Sequence, residues 1–267
     1  MGVMACVGWV GWEVGSVFPH FLAFFNGLRG GPALGYRHLV DSSLDWGQGL
    51  PALKEFIDRE VADAAVLQHG TQGAVAGSGA GAGGARRLNF YVSYFGLGNP
   101  PYYNISDNER YAVMHLHSSV SGVSRPKHVQ EVNIVLQEGF YCIGASMLQP
   151  VYNNHAPGNW NAHYEGLYRR QARFLLRLLT LPDPMLTPLV SGQLPELHDM
   201  PKMLNWIDGF RLGRLCAFFR ETTPYAQPAY AFNVYKVGAN DLRRFLLGPA
   251  PAETSANDMT FLRVALR

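Results

Sequence analysis

The densest group of polar side chains in the chain lies within residues 41–48, which read DSSLDWGQ. Carboxylates, hydroxyls and amides hydrogen-bond the hydroxyl groups of small polar ligands, and an indole face can stack on a sugar ring. The segment therefore contains enough suitable groups to hold a sugar. The candidate substrate-binding residues are Asp41, Ser42, Ser43, Asp45, Trp46 and Gln48.

The same segment also has a purely structural interpretation. Asp45 and Gln48 have the spacing of a capping box, in which two side chains satisfy free backbone N–H groups where a helix begins. Asp41 can end a strand through a local side-chain hydrogen bond. Capping and ligand binding are compatible, and both interpretations remain open at this level.

The elements on either side decide where this segment lies. Residues 36–40 are predicted to form a short strand, and apolar residues at helical spacing predict a helix over 51–61. A segment between a strand and the following helix lies at the carboxyl edge of an open α/β sheet, where ligands bind. We therefore expect 41–48 at such an edge.

The remaining elements predict the fold class. Helices are expected at 18–26, 162–179, 204–220 and 241–247, and strands at 88–95, 132–136, 140–145 and 230–237. Strands that alternate with helices predict an α/β fold. We expect a layered sandwich, with a mostly parallel central sheet of about four to five strands flanked by helices.

A tract of glycine and alanine interrupts this pattern at 70–85. Its stretch 79–84 matches the spacing G-x-G-x-x-G. A dinucleotide-binding turn follows a strand and opens a helix, whereas this tract precedes a strand. The tract is therefore predicted to be a flexible linker insertion and not a nucleotide site.

The overall charge excludes one class of partner. The chain has 267 residues and a net charge of +2, so no basic surface favours nucleic acid. Charged residues make up 16%, against about a quarter in ordinary soluble domains. Two explanations stay open: a surface that meets a membrane or another domain, and an uncharged, loop-rich surface.

Cysteine and histidine spacing predicts no metal or other cofactor. The three cysteines, Cys6, Cys142 and Cys216, are too few and too far apart for a disulfide framework or a metal cluster. Cys142 and Cys216 are expected to be buried thiols, and their pairing stays open. His115 and His117 lack a third nearby ligand.

Asn104, Ile105 and Ser106 form an N-glycosylation sequon. Asn104 is therefore a candidate glycosylation site, provided that the chain enters a secretory lumen.

The amino-terminal residues 1–17 carry a single charge, Glu13, and two tryptophans, Trp9 and Trp12. The stretch is shorter than the roughly 20 residues that span a bilayer, and it lacks the features of a signal peptide. It can be the end of a membrane helix with interfacial tryptophans, or an ordinary buried amphipathic helix. The residues alone favour the buried helix.

Three blocks in conserved order carry a resemblance to a known family. The first contains FPHFLAFFN (18–26), GGP (30–32), GYR (35–37) and DSSLDWGQ (41–48). The second contains VSYFG (92–96) and PYYNI (101–105). The third contains GFYCIGASMLQ (139–149), GRLCAFFR (213–220) and AYAFNVY (229–235). Together they resemble the segment after the last membrane helix of bacterial phospholipid-carrier-dependent glycosyltransferases, relatives of the dolichyl-phosphate-mannose protein mannosyltransferases.

The resemblance implies a domain organisation and a location. Residues 1–28 would be the remnant of a transmembrane helix with its juxtamembrane segment, which reverses the preference for a buried helix. Residues 29–248 would form an extramembrane α/β domain on the lumenal or periplasmic side, followed by a loose tail over 249–267. The implied partners are the membrane, the missing transmembrane region, and a sugar or acceptor.

The implied function is assistance to a transferase that takes a sugar from a polyprenyl-phosphate carrier, by binding the acceptor or closing the active site. The family's catalytic acid belongs to an early loop that nothing here matches, so no catalytic residue is carried over. Ser43, Gly144 and Asn104 depart from the family's Asn, Ser and Gly, which puts a ligand role of that Asn in doubt. The alternative is a stand-alone α/β domain that binds a small ligand or serves a structural role.

Overall fold

The computed structural model describes residues 2–38, 44, 46–72, 87–93, 98–116, 136–149, 160–178 and 200–252. The chain forms two compact units, each assembled from separate stretches of sequence. Unit 1 comprises Met1–His115, Gln137–Ser146 and Pro224–Gly238. Unit 2 comprises Leu116–Leu136, Met147–Thr223 and Ala239–Arg267.

The described part of unit 1 contains three helices and the sheet. The helices are α1 (Gly2–Ser16), α2 (Gly31–Gly35) and α3 (Leu50–Gln72). The strands are β1 (Leu88–Ser93), β2 (Tyr111–His115), β3 (Gly139–Gly144) and β4 (Phe232–Val237). Short 3-10 turns include Phe21–Ala23, Gly27–Arg29, Pro100–Tyr103 and Pro228–Tyr230.

The four strands form one sheet in the order β2-β1-β3-β4. β1 runs parallel to β2 and to β3, whereas β4 pairs antiparallel with β3. The register places Phe90 beside Phe140 and Cys142 beside Val234. The predicted α/β fold with a mostly parallel sheet is confirmed.

One face of the sheet packs against α3 and forms the core of unit 1. Apolar α3 residues at helical spacing are buried together with every second residue of the strands. Burying one such large apolar side chain stabilises the fold by about 1.5–3 kcal/mol. The main members are Leu53, Phe56, Ile57, Phe90, Val92, Phe140, Cys142, Phe232 and Val234.

The helix predicted over 51–61 is therefore confirmed, and it extends further than expected. α3 continues to Gln72, so the first residues of the glycine and alanine tract belong to a helix. The rest of the predicted linker, from 73, lies outside the described residues. Residues 94–95 and 132–135, which were predicted to belong to strands, lie outside them as well.

The strand predicted over 36–40 is wrong for its first three residues. The chain instead forms α2 and a turn, in which the backbone N–H of Arg37 donates to the Leu34 carbonyl and that of His38 to the Gly35 carbonyl. The helix begins after Gly30, which has a left-handed φ of 101°, and has a proline in its first turn. Proline at that place favours a helix start, and this outweighs the weak strand propensity of the residues that follow.

The helix predicted over 18–26 is also wrong. Only Phe21–Ala23 is helical, as a single 3-10 turn, and Asn26 is extended. The Asn26 side chain accepts a hydrogen bond from the Leu28 backbone N–H at 2.7 Å. Asparagine favours such local caps over a helix interior, because its side chain competes for backbone hydrogen bonds.

Unit 2 contains the helices α4 (Ala162–Leu178), α5 (Met200–Arg220) and α6 (Ala239–Leu247) in its described part. All three were predicted: α4 from the same first residue, and α5 and α6 from starts at 204 and 241, slightly later than those observed. Aromatic residues of α4 and α5 form the core, together with Trp160. Leu242 and Phe245 are the buried residues of α6, and the Phe245 ring stacks on Phe218 at 4.9 Å.

Cys142 and Cys216 are both buried and carry free thiols, as expected for core residues. Burial raises the pKa of both thiols, that of Cys216 to about 12. Neither thiol is therefore a nucleophile at neutral pH, because the thiolate is the reactive form.

Candidate functional site

The carboxyl edge of the parallel strands is the candidate site. β1 and β3 end there, at Ser93 and Gly144, and the antiparallel β4 begins beside them at Phe232. Ligands of open α/β sheets bind outside this edge.

The turn that precedes α3 packs against this edge. A Cβ built on Gly49 would come within 2.6 Å of the Ala231 Cβ atom, immediately before β4. Gly47 has a φ of +109°, and a Cβ on it would lie 2.9 Å from the backbone nitrogen of Gly98. Glycine is favoured at Gly47 because of its positive φ and the close backbone of Gly98, and at Gly49 because the side chains of Ala231 and Phe232 leave no room for a Cβ. The turn therefore lies beside the start of β4, although no strand runs into it over 36–38.

Two of the six candidate residues in the segment 41–48 can be placed. Trp46 is 53% exposed, so its indole face is available at the edge. The Gln48 amide donates to the Leu44 carbonyl at 3.0 Å and accepts from the Trp46 backbone N–H at 2.6 Å. Asp41, Ser42, Ser43 and Asp45 lie outside the described residues.

The capping-box interpretation does not fit Gln48. α3 begins at Leu50, whose backbone N–H donates to the Gly47 carbonyl at 3.2 Å. A capping box needs its glutamine inside the first helical turn, whereas Gln48 precedes the helix. The Gln48 side chain instead closes the turn that carries Trp46.

Two further polar residues lie at the same edge and were missed in the sequence. Ser93 ends β1 and Asn233 is the second residue of β4, and both lie in one row across the sheet with Ile143 between them. They are 2% and 1% exposed. In the part of the chain that the structure describes, Ser93 Oγ and Asn233 Nδ2 have no hydrogen-bond partner. The sequence offers only a weak signal for them, because the same strands contain other polar residues, Asn89 and Lys236.

Gln227 supports Asn233 from outside the sheet. Its Nε2 donates to Asn233 Oδ1 at 2.7 Å and to the Ala33 carbonyl at 2.8 Å. The amide therefore connects β4 to α2. Supporting contacts of this kind hold a binding group in a fixed geometry.

The neighbouring row of the sheet is rigid and uncharged. The rings of Tyr91 and Tyr141 stack with centroids 4.4 Å apart. The Tyr91 hydroxyl accepts from the backbone N–H of Gln137 at 2.7 Å, and the Tyr141 hydroxyl donates to the Gln137 carbonyl at 2.9 Å. Both tyrosines lie on the same sheet face as Ser93, because side chains of a strand alternate between faces.

Unit 2 holds a separate buried group of charges. Arg214 is fully buried, and its Nε lies 2.9 Å from Glu165 Oε2. Its Nη2 donates to the carbonyls of Gly248 at 2.9 Å and Pro249 at 2.6 Å, just after α6. The Trp160 indole N–H donates to Glu165 Oε2 at 3.1 Å. These contacts join the helices of unit 2, so we assign the group a structural role.

The helix α1 has a large exposed apolar surface. Its large apolar side chains are exposed on all sides, and Glu13 alone is buried. The Gly27 backbone N–H donates to Glu13 Oε1 at 2.9 Å. The one charged side chain of the helix therefore contacts the segment that follows it in unit 1. No helix in the described residues is long and apolar enough to cross a membrane. The exposed members are Val3, Met4, Val7, Trp9, Val10 and Trp12.

The candidate glycosylation residue Asn104 is exposed, with a left-handed φ of 57°. Its carbonyl accepts from the Tyr111 hydroxyl at 3.1 Å. Asparagine and glycine adopt the left-handed conformation most readily, so the turn itself accounts for Asn104 where the family pattern has glycine. The side chain is sterically accessible to a transferase.

A metal site cannot be assembled from the described side chains. Within the described ranges, no three His, Cys, Asp or Glu residues gather at one place. Burial lowers the pKa of His115, and the Asp107 carboxylate partly opposes that shift. His117 lies outside the described residues.

No protein-family model matches the chain, and neither a curated protein nor a solved structure matches it significantly. Its function is therefore inferred from its residues and their geometry.

Proposed function

We propose that this chain is the extramembrane domain of a membrane glycosyltransferase that takes its sugar from a polyprenyl-phosphate carrier. The domain lies on the lumenal or periplasmic side and helps to bind the acceptor or to close the active site. It does not catalyse the transfer alone, because no residue of the chain is assigned as the catalytic acid. The resemblance of the three sequence blocks motivates the proposal.

The exposed surface of α1 is the observation that carries it. A helix that is apolar all round is stable where apolar groups surround it, as in a protein core or a membrane. Six of its large side chains are each at least 53% exposed. Its 15 residues give a length of about 22 Å, less than the roughly 30 Å hydrocarbon core. This length suits the end of a membrane helix, with Trp9 and Trp12 at the interface.

Hydrogen bonds within unit 1 connect this surface to the candidate site. Glu13 of α1 holds Gly27, and Gly27 begins the turn before α2. Ala33 of α2 accepts from Gln227, which also holds Asn233 at the carboxyl edge. A membrane-bound α1 would therefore keep the carboxyl edge close to the bilayer, where a lipid-linked donor resides.

Vesicle binding tests the membrane part of the proposal. The whole chain is mixed with phosphatidylglycerol and phosphatidylcholine vesicles, and the bound fraction is measured by co-sedimentation. Trp9→Ser with Trp12→Ser should weaken binding at least about tenfold, because two large apolar groups no longer enter the bilayer. Trp46→Ala is the matched control, since it removes an exposed tryptophan outside α1. Equal binding by the wild type, the double variant and Trp46→Ala would show that α1 does not bind the membrane, and would contradict this part of the proposal.

Activity tests the transferase part. Trp46→Ala in the complete transferase should lower the transfer rate while the melting temperature of the domain stays unchanged. The purified chain alone should not turn over a polyprenyl-phosphate sugar. Normal rates in the Trp46 variant, or turnover by the chain alone, would contradict the role proposed for it.

The second candidate is a stand-alone α/β domain that binds a small polar ligand. The unpartnered Ser93 and Asn233 at the carboxyl edge favour it, because they need no membrane to bind a ligand. A soluble, monodisperse variant that lacks residues 1–28 and still binds its ligand would favour this candidate over the transferase domain.

A further inference from the structure

Ser93 and Asn233 are two buried polar residues, each with one side-chain atom that lacks a hydrogen-bond partner in the described residues. Ser93 Oγ and Asn233 Nδ2 are inaccessible to solvent and unpartnered within the described ranges. Folded proteins satisfy nearly all buried polar atoms, so each exception indicates strain, a bound water or a bound ligand. Both residues lie at the carboxyl edge, where a ligand is expected.

The orientation of the Asn233 amide follows from its neighbours. Gln227 faces the Ala33 backbone carbonyl, which can only accept, so the Gln227 atom there must be its nitrogen. That nitrogen also faces Asn233, so the Asn233 atom toward it must be the oxygen. Asn233 Nδ2 is consequently left over, with two N–H groups to donate.

The spacing of the pair bears on the kind of ligand that can bind both groups at once. Ser93 and Asn233 are separated by Ile143 on the central strand. Neighbouring strands lie about 4.8 Å apart, so the two Cα atoms are roughly 9–10 Å apart. A ring that carries several hydroxyls can hydrogen-bond both side chains, whereas separate waters would each satisfy one of them.

The surroundings favour a neutral ligand. Between them, β1, β3 and β4 contain one Lys, Arg, Asp or Glu residue, Lys236, which alternates onto the opposite face. Its ammonium lies over the Phe140 ring at 5.5 Å. A charged ligand buried beside Ser93 and Asn233 would find no counter-charge on these strands, and an unpaired buried charge is strongly unfavourable.

We propose that Ser93 and Asn233 bind the hydroxyls of a neutral sugar unit at the carboxyl edge, with Trp46 at the exposed rim. Asn233 Nδ2 donates to one sugar oxygen, and the Ser93 hydroxyl exchanges a hydrogen bond with another. The turn that carries Trp46 packs on Ala231, two residues before Asn233. The inference rests on the proposed function and specifies that the acceptor is a carbohydrate.

Nuclear magnetic resonance of the whole chain tests this directly. The side-chain amide signal of Asn233, assigned by its loss in Asn233→Ala, is followed during titration with three probes. These are the methyl pyranosides of glucose, galactose and mannose, and inorganic phosphate and glycerol serve as charged and small-polyol comparisons. At least one pyranoside should shift the signal saturably at millimolar concentration, while phosphate and glycerol should not.

Matched variants separate binding from folding, with intrinsic tryptophan fluorescence as the second readout of affinity. The chain contains five tryptophans, so the part of the change that is lost in Trp46→Ala is the part assigned to Trp46. Ser93→Ala removes a single oxygen and should weaken pyranoside binding at least about tenfold without loss of melting temperature. Asn233→Ala should also weaken binding, and it should lower the melting temperature somewhat because Gln227 loses the Asn233 oxygen to which it donates. Ser106→Ala and Asn240→Ala, at exposed positions away from the row, should bind normally.

Three results would overturn the inference. They are the absence of saturation with all three pyranosides, undiminished binding by Ser93→Ala, and an equal response to glycerol or phosphate. None of them alters vesicle binding through α1, so failure of the carbohydrate site is distinguishable from failure of the proposed function.

Discussion

The buried charge cluster of unit 2 and the buried polar pair of unit 1 differ in how many hydrogen-bond partners they have. In unit 2, Arg214 and Glu165 have several partners: each other, Arg169, the Trp160 indole and two backbone carbonyls after α6, while Arg214 Nη1 has none among the described residues. In unit 1, Ser93 Oγ and Asn233 Nδ2 are equally buried but have no partner among the described residues. A buried polar group with hydrogen-bond partners stabilises one arrangement of the helices. A buried polar group without partners lowers stability, and a ligand that hydrogen-bonds to it recovers that loss. The difference separates a structural cluster from a candidate site.

The largest effect is expected from breaking the satisfied cluster. Arg214→Met should lower the free energy of unfolding by about 1.5–3 kcal/mol, because it removes the buried charge-assisted hydrogen bonds to Glu165, which keeps Arg169 and the Trp160 indole as partners. Urea denaturation followed by circular dichroism measures this. Arg244→Met is the control, since Arg244 is exposed and its nearest carboxylate is 4.0 Å away. A loss no larger than that of the control would show that the cluster is not structural.

The two buried thiols report on each unit separately. Cys142 lies in unit 1 and Cys216 in unit 2, while Cys6 is exposed. In the native protein at pH 8, iodoacetamide should modify Cys6 rapidly and the other two only upon opening. Arg214→Met should accelerate modification of Cys216 more than that of Cys142, as read by peptide mass spectrometry. Equal acceleration of both would mean that the units open together.

The same thiols predict the dependence of stability on pH. Burial raises the pKa of Cys216 from 9.0 to about 12, so the folded state keeps the thiol neutral where the unfolded chain ionises. Its contribution to stability is complete below pH 9 and is lost as pH rises through 12. Cys216→Ala should show a smaller loss of stability over pH 9 to 12 than the wild type, measured by urea denaturation. An unchanged slope would contradict this assignment.

A smaller effect is expected at the edge of the satisfied cluster. The Tyr168 hydroxyl donates to the Leu246 carbonyl at 3.0 Å, and burial raises its pKa. Tyr168→Phe should lower the free energy of unfolding by about 0.5–1.5 kcal/mol, the usual value of one hydrogen bond. Tyr102→Phe, at a position 79% exposed, should be neutral.

The smallest effect is expected in unit 1. Ser93→Ala should leave the free energy of unfolding unchanged or raise it by up to about 1 kcal/mol, because an unsatisfied hydroxyl is removed. The measurement is the same urea titration, without ligand. A clear loss of stability would reveal a structural partner of Ser93, such as an ordered water, and would remove the contrast between the two units.

Much of the fold was predictable because periodicity is a local property. Local sequence patterns were enough to predict most elements. Apolar spacing predicted the helices α3, α4 and α5, and apolar runs predicted the strands β1, β3 and β4. β2 was missed because it is a short strand of five residues, and its pairing with β1 supplies what its own residues do not. The turn at 36–38 was missed because the proline-initiated α2 precedes it.

The candidate site was less predictable because it depends on pairing between distant strands. Gly47 and Gly49 bring the turn that carries Trp46 and Gln48 beside the start of β4, although the strand predicted to precede this turn is absent over 36–38. The row of Ser93 and Asn233 depends on the register of three strands that are far apart in sequence. No local pattern contains that register, and none reveals which buried side chain lacks a partner.

The order of the strands along the chain has a consequence for biosynthesis. β4 completes the sheet, yet it is translated only after the whole of α5, on the order of ten seconds behind β3 at ordinary ribosomal speed. During that interval β3 can pair with β1, but its other edge lacks β4, with which it pairs in the finished sheet. Such an open edge is a template for pairing with other chains. Nascent chains on the same messenger RNA can therefore aggregate by pairing along the open edge of β3. Slow codons between β3 and β4 would lengthen the time for which this edge is open.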